Sequence, residues 1–153
     1  GTAEPIVITT FNRDENTKSG TIKNIRFFNV TAKGENGVLI HGNEDNIIED
    51  VTFENCSIEL TKTSKWQCGL YDLRPCLDYG VESYDNSAFL IRFAEDVIIR
   101  KTKTRWGNLC DSYSYAIDAA NVENLNLYEF DGKSAKENTD DIKIDRVKLN
   151  YKR

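Results

Sequence analysis

Methionine is absent from this chain, proline occurs twice and histidine once. Scarce proline beside plentiful Asn, Asp, Thr and Ile favours strands joined by short polar turns. Long runs of Ala, Leu, Glu and Lys are missing too, which argues against helices. No apolar run approaches the ~20 residues that a spanning helix needs, so membrane insertion is not expected. No signal peptide is visible. Gly1-Thr2-Ala3-Glu4-Pro5 leads straight into the strand-like Ile6-Val7-Ile8-Thr9-Thr10, so the chain reads as beginning in the middle of a structure, as a processed product would.

A basic balance is also lacking. The net charge is −5 and the pI is near 5.0, which argues against a nucleic-acid partner. The closest basic stretch, Arg100-Lys101-Thr102-Lys103-Thr104-Arg105, alternates charge with Thr and reads as the solvated face of one strand rather than a phosphate site. Four cysteines occur, at positions 56, 68, 76 and 110, without any Cys-x-x-Cys, and His41 is the only histidine. That spacing fits no zinc pattern, so neither a metal nor a cofactor is expected. Cys68 and Cys76 flank a short loop and are candidates for a disulfide, subject to their Cα separation. Cys56 falls at a core position, where a free thiol is the default.

What the chain does have is repetition. Its 153 residues, 39% hydrophobic and 29% charged, suit one domain with a real core. Four segments share one pattern: Asn24-Ile25-Arg26-Phe27-Phe28-Asn29-Val30, Asp50-Val51-Thr52-Phe53-Glu54-Asn55-Cys56, Asp96-Val97-Ile98-Ile99-Arg100-Lys101-Thr102 and Asn124-Leu125-Asn126-Leu127-Tyr128-Glu129-Phe130. Each opens with Asn or Asp, followed by apolar, variable and apolar residues. An apolar or small residue comes three places later. Copies opening at positions 24, 50, 96 and 124 are 26, 46 and 28 residues apart. The long middle interval implies an insertion around residues 61–86. A weaker fifth copy reads Arg146-Val147-Lys148-Leu149-Asn150-Tyr151.

Second strands lie between the copies, at 37–42, 87–93 and 114–120, and no helical crossover fits between them. A unit of this size cannot bury its apolar face alone, and stacking the units makes a continuous core. We therefore expect an all-β chain, a right-handed parallel β-helix forming a single domain over 1–153. Ile25, Phe27 and Val30 should then lie over Val51, Phe53 and Cys56, and the register should continue through Val97, Ile99 and Thr102 to Leu125, Leu127 and Phe130. Asn29 and Asn55 recur at one place, as expected of a stacked Asn ladder, although both also sit in glycosylation triplets. An antiparallel sandwich would need hairpin turns at Asn36-Gly37 and Asp131-Gly132, and their spacing does not suit it.

The coils from Ile22 to Ala32, with Gly37-Val38-Leu39-Ile40-His41-Gly42 and Ile48 to Cys56, resemble those of glycoside hydrolase family 28, the polygalacturonases and rhamnogalacturonan hydrolases. Tyr71-Asp72-Leu73-Arg74-Pro75-Cys76 also looks like a segment of bacterial relatives in that group. The resemblance covers nearly the whole chain and implies its C-terminal coils. That family's catalytic pattern is Asn-x-Asp, Asp-Asp, Gly-His-Gly and Arg-x-Lys on consecutive coils. Here Asn138-Thr139-Asp140-Asp141 lies too late in the chain. Ile40-His41-Gly42 lacks the first Gly, and no Arg-x-Lys follows it. No catalytic residue is therefore assigned. Asp118 is the best isolated acid, though a general acid–base pair needs a partner.

Binding residues are more legible. Arg74, whose planar fork suits a uronate carboxylate, stands with Tyr71 and Asp72 in the insertion, although an Asp72–Arg74 pair that only fixes the loop is the favoured reading. His41, flanked by glycine, is read as a satisfied surface residue within the same candidate set. Trp66 and Trp106 could stack on sugars or cover the coil edge. These readings imply part of an extracellular or periplasmic hydrolase of pectin-like polysaccharide, inactive alone, with an open N-terminal coil prone to self-association. The alternative is a non-catalytic structural or carbohydrate-binding β-helix, such as an adhesin or a phage-tail protein, since fold alone does not fix function.

Overall fold

A computed structural model describes residues 4–152. These residues form twelve strands and no helix. They are β1 (Val7–Thr9), β2 (Lys23–Phe28), β3 (Thr31–Gly34), β4 (Val38–His41), β5 (Ile48–Glu54), β6 (Ser57–Leu60), β7 (Leu70–Asp72), β8 (Val81–Ser83), β9 (Phe89–Arg100), β10 (Lys103–Trp106), β11 (Ile117–Tyr128) and β12 (Ile142–Lys152). Among them only β7 and β8 pair antiparallel. Every other ladder is parallel.

The parallel strands lie in three stacks. In the first, β1 and β4 are followed by the leading halves of β9, β11 and β12. In the second, β2 and β5 are followed by the trailing halves of the same three strands. The third contains β3, β6 and β10, and an isolated bridge from Lys103 to Asp131 extends it. The repeated segments are the strands of the second stack, in the register the sequence suggests. Ile25 faces Val51, then Val97 and Leu125. Phe27 faces Phe53, then Ile99 and Leu127.

The opening Asn or Asp of each copy has a physical reason. Asn24, Asp50, Asp96 and Asn124 all have positive φ, from 53° to 61°. Asn29, Asn55, Lys101 and Glu129, five places on, form a second such column at 48° to 59°. The chain turns its corners through the left-handed region, which Asn and Asp tolerate better than other side chains that carry a Cβ. Asn55 Nδ2 also donates to Asn29 Oδ1 at 2.7 Å, so the expected ladder spans those two rungs.

Two expectations are corrected. The fifth copy is out of register by two residues, because Leu149 pairs with Leu125 and Tyr151 with Leu127. Between Val122 and Leu125 the ladder shifts. There β12 has one residue fewer, and Arg146 takes the corner position of Asn121. Arg100 to Arg105 is not one strand, since the chain turns at Lys101 between β9 and β10. Its charges face outward, with Arg100 on Glu54 and Arg105 on Asp131, while Thr102 and Thr104 are buried. Asn36-Gly37 is no hairpin, in keeping with the choice against a sandwich. Asn36 is buried, and a Cβ on Gly37 would lie 2.1 Å from the Ser87 carbonyl of the next rung.

The core runs along the inside of the stacks. Val51, Phe53, Val97, Ile99, Leu125 and Leu127 are wholly buried. Their counterparts on the outer rungs, Ile25 and Phe27 at one end and Leu149 at the other, are only partly covered.

Candidate functional site: a polar face under an aromatic cover

In β4, Val38 and Ile40 enter the core, so the strand's alternation sends Leu39 and His41 to the opposite face. Parallel register then builds two rows across the first stack. One runs Leu39, Leu90, Asp118, Lys143, and the other His41, Arg92, Ala120, Asp145. The insertion between β6 and β9 folds over this face. Tyr71 and Leu73 pack on Leu39 and Leu90, with Phe11, Tyr79 and Tyr84 around them.

His41 is 1% exposed, not the surface residue expected. The sequence neighbours of His41 do not reveal this, because the cover comes from residues 30 to 52 places away. Phe11 lies 5.1 Å from its ring, Tyr79 5.0 Å, Phe93 6.3 Å and Tyr84 6.4 Å. Nδ1 sits 2.7 Å from the Gly42 carbonyl, so it carries the proton and donates. Nε2 is left to accept from the Tyr84 hydroxyl at 3.4 Å. Burial, with the Arg92 charge on the next strand, lowers the imidazole's proton affinity below its ordinary value.

Arg92 and Asp118 form the charged half of the face. The guanidinium donates to the Ile91 and Asp118 carbonyls, both at 2.9 Å, and pairs with Asp118 Oδ1 at 2.9 Å. It also lies 5.4 Å from the Tyr84 ring centroid. Lys143 approaches Asp118 Oδ2 at 3.5 Å. Asp118, 3% exposed, is thus a buried carboxylate held between two cations rather than an acid open to substrate.

The structure places the other expected binding residues on opposite sides of β7. Tyr71 is wholly buried, its hydroxyl takes a 3.4 Å bond from Asn86, and burial pushes its pKa far up. Its ring lies 5.6 Å from that of Tyr84, so Tyr71 and His41 share one aromatic cluster. Asp72 and Arg74 face solvent and hold each other. Nε donates to Oδ1 at 2.8 Å and Nη2 to Oδ2 at 2.7 Å. The Arg74 fork is therefore occupied, and its bonds hold the Asp72 carboxyl down at about 2. Beside the cover, Asn43, Glu44, Asp45, Asp78, Tyr79 and Phe93 line a shallow hollow. Among the described residues no His, Cys, Asp and Glu cluster could hold a metal.

Cys68 is bonded to Cys110, Cα to Cα 6.8 Å, not to Cys76. Cys68 precedes β7 at the base of the insertion, whereas Cys76 lies between β7 and β8, so the hairpin separates them. Cys76 and the buried Cys56 are free thiols.

Two anchors were not legible in the sequence. Glu35 is buried, and its carboxylate accepts from Thr63 N and Oγ1 at 2.9 and 2.6 Å, from Ser64 N and Oγ, and from Lys62 Nζ at 3.0 Å. Burial favours its neutral form, but these bonds outweigh that and hold the carboxyl far below its ordinary range. The buried Asn86 donates to Asn36 Oδ1 at 2.5 Å and accepts from Ser112 at 2.5 Å. Arg92 did leave a signal, since it is the single charge in the otherwise apolar strand 87–93. No protein-family profile, curated protein or solved structure matches the chain.

Proposed function

We propose that these strands are the terminal coils of a right-handed parallel β-helix that belongs to a secreted, pectin-degrading glycosidase of the family 28 type. The chain supplies distal coils and part of a cleft wall, and the catalytic carboxylates stand on coils before it. One observation carries this reading. The repeat stacks in register through the second stack, yet on its first rung Ile25 and Phe27 stay half-covered while Val51 and Phe53 on the next rung are fully buried. A preceding coil of the same pattern would complete that burial. The engaged state of Asp118 and Arg74 is consistent with a wall rather than a reaction centre.

The test is turnover of polygalacturonate and rhamnogalacturonan, measured for this chain and for the full-length product of its gene. The chain alone should release no reducing ends, and the full-length protein should. Full-length protein without Asn-x-Asp and Asp-Asp coils, or without turnover, refutes the reading.

A further inference from the structure

We propose that the outer edge of β12 is a dimer interface, at which a second copy of this chain joins tail to tail about a two-fold axis. This joint lies at the opposite end of the stack from the first rung and does not depend on the glycosidase reading. β12 pairs with β11 on one side, and among the described residues no strand covers its other side. At the start of that ladder the Ala116 and Ile117 amides donate to the Asp141 carbonyl, and at its end the Glu129 amide donates to the Lys152 carbonyl. By alternation from those two ends, the backbone N–H and C=O groups of Ile142, Ile144 and Leu149 point away from β11, into the open edge. Their side chains turn towards the core, because they lie beside the buried Ile117, Ala119 and Leu125. Ile142 and Leu149 are only half-covered there, and Ile144 is 46% exposed. Proline and inward-pointing charge are devices that blunt an exposed edge, and the inward positions of β12 hold neither. The Arg146 side chain at the corner bends back, donating from Nε to Asn121 Oδ1 on the rung before at 2.6 Å.

Residue order selects the occupant. The inward side of β12 switches at the corner, from Ile142 and Ile144 before it to Val147 and Leu149 after it. In antiparallel pairing, residues directly opposite share a face. A copy rotated about an axis through that corner therefore sets inward residues against inward ones. Ile144 meets Leu149 of the second copy, with their outward backbone groups aimed at each other, and Asp145 meets Lys148 of the second copy. The two-fold axis repeats both pairs, as an isologous interface requires. Asp145 is 61% exposed and pairs at present only across one residue, with Arg146 at 3.0 Å, an exposed pair of little strength. Among the described residues Lys148 takes part in no ion pair. Head-to-tail stacking fits less well. Following the ladders, Lys143, Asp145, Asn150 and Lys152 would meet Val7, Thr9, Arg26 and Phe28, and no opposite charges come together.

Sedimentation equilibrium tests the joint. The chain should fit monomer and dimer and nothing larger, with a dissociation constant of roughly 10–100 µM, because an interface one strand wide per copy lies at the small end of specific contacts. Ile144→Lys should weaken the dimer at least about a hundredfold, with an unchanged melting temperature at high dilution as the check on folding. Asp145→Lys and Lys148→Asp should each weaken it by roughly tenfold, and the double variant should recover most of the affinity. That recovery is expected only where the two positions face each other across the joint. Single variants that weaken the dimer without recovery in the double variant overturn the two-fold register. A dimer indifferent to Ile144→Lys, or one lost in Ile25→Lys on the first rung, places the joint elsewhere and overturns the proposal. A monomer throughout the concentration range, or open-ended growth, overturns it as well. Turnover by the full-length protein judges the glycosidase reading separately.

Discussion

Phe27 and Phe53 occupy the same position in consecutive repeats, so the sequence treats them alike. The structure does not. Phe53 is wholly buried, stacked on Phe27 at 4.6 Å and edge-on to Phe89 at 5.1 Å. Phe27 is partly open on the first rung. Phe53→Ala removes a complete core side chain with neighbours on both sides and should cost about 3–5 kcal/mol. Phe27→Ala loses only part of that area and leaves a gap that water can fill, so about 1–2 kcal/mol is expected. Urea unfolding of both variants, at several protein concentrations, measures the difference. Equal costs at high dilution would refute the burial argument. Equal costs that appear only as concentration rises would mean that a second copy covers the first rung.

Four further outcomes are expected. Because burial lowers the His41 proton affinity, the unfolded chain binds the extra proton first. Stability is therefore complete above the ordinary histidine value of 6.5 and falls as pH drops below it, with a slope of up to about 1.4 kcal/mol per pH unit that His41→Gln should abolish in pH-dependent melts. Thr104 Oγ1 is buried without a hydrogen-bond partner, so Thr104→Val should stabilise by about 1 kcal/mol in denaturant titration. Lys101 holds a φ of 48° where earlier repeats have Asn, and Lys101→Asn should gain about 1 kcal/mol, raising the melting temperature by roughly 2–4 °C. Peptide mapping should find Cys68 linked to Cys110 across 42 residues and Cys76 free to alkylate. Cys110→Ser should cost up to about 4 kcal/mol by loop entropy, whereas Cys76→Ser should cost little.

Much of the second stack was legible because two local signals coincide there. Apolar residues alternate, and Asn or Asp marks the corner before them in all four copies. The third stack carries no such mark. Its inward positions along one row are Ala32, Ile58 and Thr104, with Gly132 beyond, which share neither size nor polarity. The fifth copy misled because a lost corner residue shifts the register without changing the apolar spacing. For the candidate site, the Asp72–Arg74 pair was readable since its members are two residues apart. Arg92 with Asp118, and His41 with its aromatic cover, join residues from different rungs and from the insertion. Strand register brings Arg92 to Asp118, and the way the insertion folds back brings Tyr79 and Tyr84 to His41.

The covalent tie between Cys68 and Cys110 has a consequence for proteolysis. Leu77, at the tip between β7 and β8, is 51% exposed in a mostly uncovered segment, the kind of site a protease nicks first. A cut there divides the chain into a piece ending with β7 and a piece beginning with β8. The two pieces still share the β4–β9 and β5–β9 ladders and remain joined by the disulfide. A clipped molecule would keep its shape and migrate as one until a reductant separates it.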